Sequence, residues 1–192
     1  MRESLVRNLS VTCVALALVT QGAGRLTAQD SKTAEGAAGA PLVARSQVRL
    51  NLAGAEAVVR GAKAQAAKMK LKVNIAVVDD GGHLLAFARM DGARPASGYT
   101  AITKATASAT LRAPTRPAGN PTPDTLLSLS LQNAASASGG KFTTLYGGVP
   151  IVVDEQVIGA VGVGGATGEQ DAEIGTAGIQ ALLDALAAEK AK

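Results

Sequence analysis

Residues 71–90, LKVNIAVVDDGGHLLAFARM, switch the apolar pattern from a helical period to a twofold one and interrupt it with Asp-Asp-Gly-Gly. Two β-type runs joined by a turn of this composition form an antiparallel hairpin, with Asp80-Gly81 as the central pair of a type I′ turn. Strand alternation places His83, Leu85, Phe87 and Arg89 on one face of the second strand and Leu84, Ala86, Ala88 and Met90 on the other. His83 is the only histidine of the chain. At about 3.3 Å per strand residue it stands roughly 20 Å from Arg89, too far for both to hold one flat macrocycle within one subunit, so Arg89 reads as structural, bonded to a carboxylate such as Asp91 or Asp171, or as serving a site completed by a neighbouring subunit.

The hairpin fixes what its neighbours must be. Upstream, Leu52, Ala55, Val58, Val59, Ala62, Ala66 and Met69 recur at three- and four-residue steps behind Asn51, which predicts an N-capped amphipathic helix to about Lys70. Residues 97–112 read as a second, closely packing helix, and residues 123–133 as a short third one with a proline and Asp124 at its start. The runs FTTLY, VPIVV and VIGAVGV predict three more strands, for five in all, and residues 169–192 a closing helix buried through Ile179, Leu182, Leu183 and Leu186. This order implies an α+β fold, an antiparallel five-stranded sheet with helices packed against it. With aromatics at 2% and 22 glycines, the interior must be built from small aliphatic residues in close contact.

In the last strand Ile158, Ala160, Gly162 and Gly164 alternate onto one face, which loses bulk toward the strand end. Two occupants suit that face: a helix lying tightly on the sheet, or a flat ligand with the N–H groups of Gly164, Gly165 and Gly168 beside a helix N-terminus. GAVGVGGATG does not spell a dinucleotide-binding fingerprint.

The N-terminus has a different character. Arg2 and Arg7 precede the apolar run at residues 9–19, and Leu26 and Ala28 suit a cleavage rule, so residues 1–28 read as a secretory signal peptide, residues 29–45 as a flexible linker and residues 46–192 as the domain. The expected destination is the periplasm or the exterior, with no membrane association after leader removal. Cys13, the only cysteine, leaves with the leader, which excludes thiol catalysis. Losing Arg2, Arg7, Arg25 and Glu3 brings the net charge to about +2. No basic cluster with interleaved aromatics is left for nucleic acid.

One histidine does not make a multi-histidine metal site, but it suffices as an axial haem ligand, because the porphyrin supplies the other donors. Arg89, Arg94, Lys104 and Lys141 are the cations available for propionates. VDDGGHLLAFARMDGA, KATASAT, YGGVPIVV and VIGAVGVGGATGEQD closely resemble the GlcG/HbpS family, which includes the C-terminal domain of PduO-type proteins. The resemblance spans about residues 50–186. It implies a profilin-like fold, homo-oligomers and, in some members, haem binding, with an axial threonine in one branch and a histidine in another. The histidine-type position is kept here as His83, so the resemblance makes His83 the haem-iron ligand; Lys104, from the cations available for propionates, and Gly164 and Gly165, from the backbone N–H groups at the strand end, complete the candidate cofactor-binding residues.

Three functions stay open on this reading. The first is an exported protein binding haem or a related flat tetrapyrrole. The second is an enzyme on a small oxygenated metabolite, with His83 as general base and Arg89 holding a carboxylate, although no second catalytic group stands at a fixed spacing. The third is a non-catalytic oligomeric interaction module.

Overall fold

The computed structural model describes residues 43, 44, 46–116, 122 and 124–191, so the proposed leader and most of the linker lie outside the described residues. Four helices and four strands follow in the order α1 (Leu52–Lys68), β1 (Asn74–Asp79), β2 (Leu84–Arg89), α2 (Ser97–Leu111), α3 (Thr125–Ala137), β3 (Gly148–Val153), β4 (Gln156–Gly164) and α4 (Gly168–Lys190). The strands form one antiparallel sheet in the order β2-β1-β4-β3. Pro150 is accommodated because β3 is an edge strand, where a missing N–H costs no ladder bond. No helix among the described residues is long and apolar enough to cross a membrane.

The sheet separates two apolar layers. On one face α1 and α4 bury Ala55, Val58, Ala62, Ile174, Ile179 and Leu182 against Ile75, Val77, Ile151, Val161 and Val163. On the other, α2 lays Ala101, Ala105 and Ala109 on Ala76, Val78 and Ala160. Local signals set the helix ends. The Asn51 side chain accepts the Gly54 N–H at 2.8 Å, and Thr167 and Gln170 form a reciprocal capping box at the start of α4. Asp124 caps α3 through the Leu127 N–H at 2.9 Å. No residue of α3 is buried.

Four expectations need correction. FTTLY is not a strand, which reduces five strands to four. Its β-branched and aromatic residues favour extended backbone only where a partner strand pairs with them, and here the chain turns at Gly147 (φ 119°) with Tyr146 against Gly168. In the hairpin the positive φ falls on Gly82 rather than on Asp80 and Gly81. Asp79 O accepts from Gly82 N and His83 O from Asp79 N, the pattern of a type I turn closed by a glycine bulge rather than type I′.

Beyond the turn, Val77 pairs with Ala86 but Val78 with Leu84, so Leu85 is an extra residue. It joins Ala86 on the α1/α4 core, while Leu84, Phe87 and Arg89, opposite Val78, Ala76 and Asn74, take the α2 face. His83 precedes the strand. An equivalent shift between Ile151 and Val152 leaves Ile158 as the extra residue of β4 and sends it to the α1/α4 core, away from Ala160.

The bulk-poor face of β4 is occupied by the backbone of α2. A methyl at Gly162 would collide with Ala101 O and Ala105 N, and one at Gly164 would stand 2.6 Å from Ser97 O. Gly162→Ala is therefore expected to cost about 1–3 kcal/mol through overpacking. Urea denaturation checks this as a lower midpoint at an unchanged slope.

Candidate functional site

The Asp79 carboxylate organises the turn: one oxygen accepts the N–H groups of Gly81 at 3.0 Å and His83 at 2.8 Å. The same oxygen lies 3.3 Å from His83 Nδ1. A carboxylate beside Nδ1 is the geometry of carboxylate–histidine–metal arrangements, in which Nε2 carries the metal. The His83 side chain is 82% exposed. The turn is anchored on α2, because Thr106 Oγ1 donates to Gly82 O at 3.1 Å and the Thr106 methyl sits under Gly82.

Further along the same edge the Phe87 ring lies against Gly98, so α2 runs antiparallel to β2 with Gly98 near Phe87 and Thr106 near Gly82. Leu84, Phe87 and Tyr99 keep large exposed areas on this flank. The periodicity did not put Leu84 beside His83 and Phe87 as an apolar floor. Only the bulge at Leu85 brings Leu84 onto that face.

Lys104, Gly164 and Gly165 are placed elsewhere. Lys104 points to the opposite flank of α2, only 5% exposed, with Nζ 2.8 Å from Asp171 Oδ2 and 2.9 Å from Val163 O. Asp171, 1% exposed, also accepts the Ala166 N–H at 3.1 Å. Gly164 packs on Ser97 and Thr100, and Gly165 (φ 137°) on Lys72 and Val73. Lys104 and Gly165 share a cleft of about 240 Å³ with Arg94, Thr100, Tyr146 and Asp171, where the sheet end meets the first turns of α2 and α4. His83 is not part of it. Arg89 forms no ion pair among the described residues, so neither Asp91 nor Asp171 is its partner, and Lys141 is exposed.

Burial raises the Asp171 carboxyl above its ordinary value, a shift that Lys104, Ala166 and Arg94 oppose. With the native value above the unfolded one, Asp171 favours folding most below the unfolded carboxylate pKa of 3.8, and that contribution is lost as pH rises through the raised native value. Lys104→Met strands the carboxylate and is expected to cost about 3–5 kcal/mol near neutral pH. The loss should shrink in acid as Asp171 protonates, and Lys104→Met/Asp171→Leu should recover most of it; denaturation at pH 7 and pH 4 measures both effects.

Comparison with known proteins gives a consistent assignment. A family model described as "Haem degrading protein HbpS-like" matches residues 50–180. Protein GlcG of Escherichia coli K12 is 38% identical over 119 residues, 62% of this chain and 84% of its own. Among solved structures, Klebsiella pneumoniae ORFY superposes with a TM-score of 0.63 at 27% identity, over 74% of this chain and 97% of its own. A double mutant of Streptomyces reticuli HbpS superposes with a TM-score of 0.58 at 30% identity, over 74% of this chain and 96% of its own. The four-stranded α+β domain with its histidine-bearing turn thus belongs to the HbpS-like family, whose members include GlcG-type proteins.

Proposed function

We propose that the protein binds haem, or a closely related tetrapyrrole, with His83 as the axial ligand to the iron. The observation that carries this reading is the His83 imidazole itself: exposed, on a turn pinned to α2, with a carboxylate oxygen 3.3 Å from Nδ1, on the α2 flank along which Leu84, Phe87 and Tyr99 are also exposed. The family description, which names haem, supports the same ligand.

The donor set fits the group. Among the described residues no three His, Cys, Asp or Glu side chains stand together as a metal cage. A porphyrin brings four nitrogens of its own and asks the protein for one more. Bound haem would supply an iron with a further coordination position. The chain's part is to present Nε2, orient the ring through Asp79 and cover one porphyrin face with apolar side chains. Lys104 is engaged with Asp171 on the other flank of α2, and Arg89 stands roughly 20 Å along the strand from His83, so neither serves the propionates of a haem held by His83 within one subunit.

We further propose export, on the strength of the basic, apolar and small-residue order of residues 1–28, and association of identical subunits. Self-association is supported by α3, whose thirteen residues include four leucines, no charge and no buried position. A short helix has little stability in water without a packed face. Light scattering is expected to give a mass above that of one chain, reduced in Leu126→Glu/Leu129→Glu.

Hemin titration of the purified protein tests the main proposal. A saturable, stoichiometric Soret shift at micromolar protein is expected, lost or blue-shifted in His83→Ala with the circular dichroism of the fold unchanged. An identical haem spectrum in His83→Ala would remove the histidine from the site.

A further inference from the structure

The haem reading leaves the cleft on the other flank of α2 without a role, yet that cleft contains the only buried ion pair among the described residues. Thr106 and Lys104 are two residues apart on α2 and therefore point about 160° apart around the helix axis. A tetrapyrrole seated at His83 on the Thr106 side does not reach the Lys104 side. The volume of the cleft, about 240 Å³, lies below the roughly 300–1,000 Å³ of sites for drug-sized molecules. It suits a much smaller guest.

Its lining defines the chemistry of that guest. Lys104 Nζ uses two of its three hydrogens on Val163 O and Asp171 Oδ2 and has one left. Arg94 stands at the mouth, exposed, with Nε donating to Ser97 Oγ at 3.0 Å. That bond fixes the guanidinium plane and leaves its terminal nitrogens free of ion pairs among the described residues. Arg94 lines the same cleft as the ion pair, and its charge is near enough to Asp171 to help lower that carboxyl's pKa.

Two cations against one carboxylate leave a net charge of +1, matched by a monoanion. A dianion would bring a second charge against Asp171. The planar fork of arginine pairs with both oxygens of a carboxylate.

The loop above the pair is built for close approach. A methyl at Gly147, where φ is 119°, would stand 2.6 Å from Asp171 Cβ and 2.9 Å from Lys104 Nζ, and one at Gly168 would stand 2.7 Å from Tyr146 Cβ. Without those methyls, residues 145–147 settle directly over the pair, and Leu145 and Tyr146 supply a partly apolar wall. A charged floor, a cation at the mouth and a wall for a few carbons describe a site for a small organic acid.

We propose that this cleft binds a short-chain monocarboxylate, held by the terminal nitrogens of Arg94 and the remaining ammonium hydrogen of Lys104, with its carbon chain against Leu145 and Tyr146. The site is separate from the one at His83, and its occupancy does not depend on haem. Asp171 keeps Lys104 in place and sets the preference for a single negative charge.

Acetate and butyrate are the probes, titrated into the purified protein at constant ionic strength, with sodium chloride and inorganic phosphate as controls and thermal unfolding and amide NMR shifts as readouts. Saturable stabilisation by the carboxylates is expected, absent with chloride and weaker with phosphate, with the largest amide shifts at residues 94–100, 146–147 and 165–168. Arg94→Ala should weaken acetate at least about tenfold, and Tyr146→Ala should weaken butyrate more than acetate. Hemin affinity should be the same with and without saturating acetate. Amide shifts centred elsewhere, an acetate response equal in wild type and Arg94→Ala, or displacement of hemin by acetate would each overturn the proposal.

Discussion

The close seating of α2 on β4 is the constraint on which the rest of the molecule depends. The Ala101–Ala105 turn of α2 lies where side chains of Gly162 and Gly164 would otherwise stand. Backbone this close to backbone leaves almost no freedom to slide or rotate, since interiors are packed to crystal-like density. The helix is thereby fixed in phase. Gly98, Ile102 and Thr106 turn toward the β2 edge, and Thr100 and Lys104 turn toward the first turn of α4. Had α2 ridden higher on larger side chains, Thr106 would not reach Gly82 O, and Lys104 Nζ would not reach both Val163 O and Asp171.

Most of the framework could be read from local pattern. Asn51 as a helix cap, the apolar steps of α1, the hairpin about Asp80-Gly81, and the buried Ile179 and Leu182 of α4 each follow from signals spanning a few residues, and each is found where expected. The errors of face share one physical source. Strand alternation assumes an unbroken ladder, and one inserted residue reverses every assignment beyond it. The bulge at Leu85 thus exchanged Leu85 for Leu84 on the α2 face, and the one at Ile158 moved that side chain to the opposite core. FTTLY had the composition of a strand without a neighbour to pair with.

The site was less legible than the fold. His83 was conspicuous as the sole histidine, but the closeness of its Nδ1 to a carboxylate depends on Asp79 folding back across the turn. Lys104 was selected as a cation for propionates. Its actual partner lies 67 residues away, and no local spacing announces an ion pair of that kind. The periodicity of α2 hinted at the outcome, since Lys104 lies near the alanine stripe and a charge there must find a counter-charge or remain unfolded in water. Asp171 looked like an ordinary acidic residue at a helix N-terminus. It does serve that end by accepting the Ala166 N–H, and burial gives it the second task of holding Lys104.

These placements give one helix two chemically different flanks. Toward β2 the surroundings expose apolar side chains, Leu84, Phe87 and Tyr99, together with the His83 imidazole, which suits the flat, largely uncharged face of the proposed ligand. Toward α4 they are dominated by fixed charges in a small cleft, which suits a compact anion. The two flanks are joined through a helix whose seating tolerates little displacement, so a ligand on one side has no compliant path by which to reshape the other. The same rigidity that anchors the turn before His83 argues for independent occupancy of the two surfaces rather than coupling between them. What remains adjustable is the periphery: the exposed α3, which touches neither flank closely, and the loop at 145–147, whose position over the ion pair is set by two missing methyl groups.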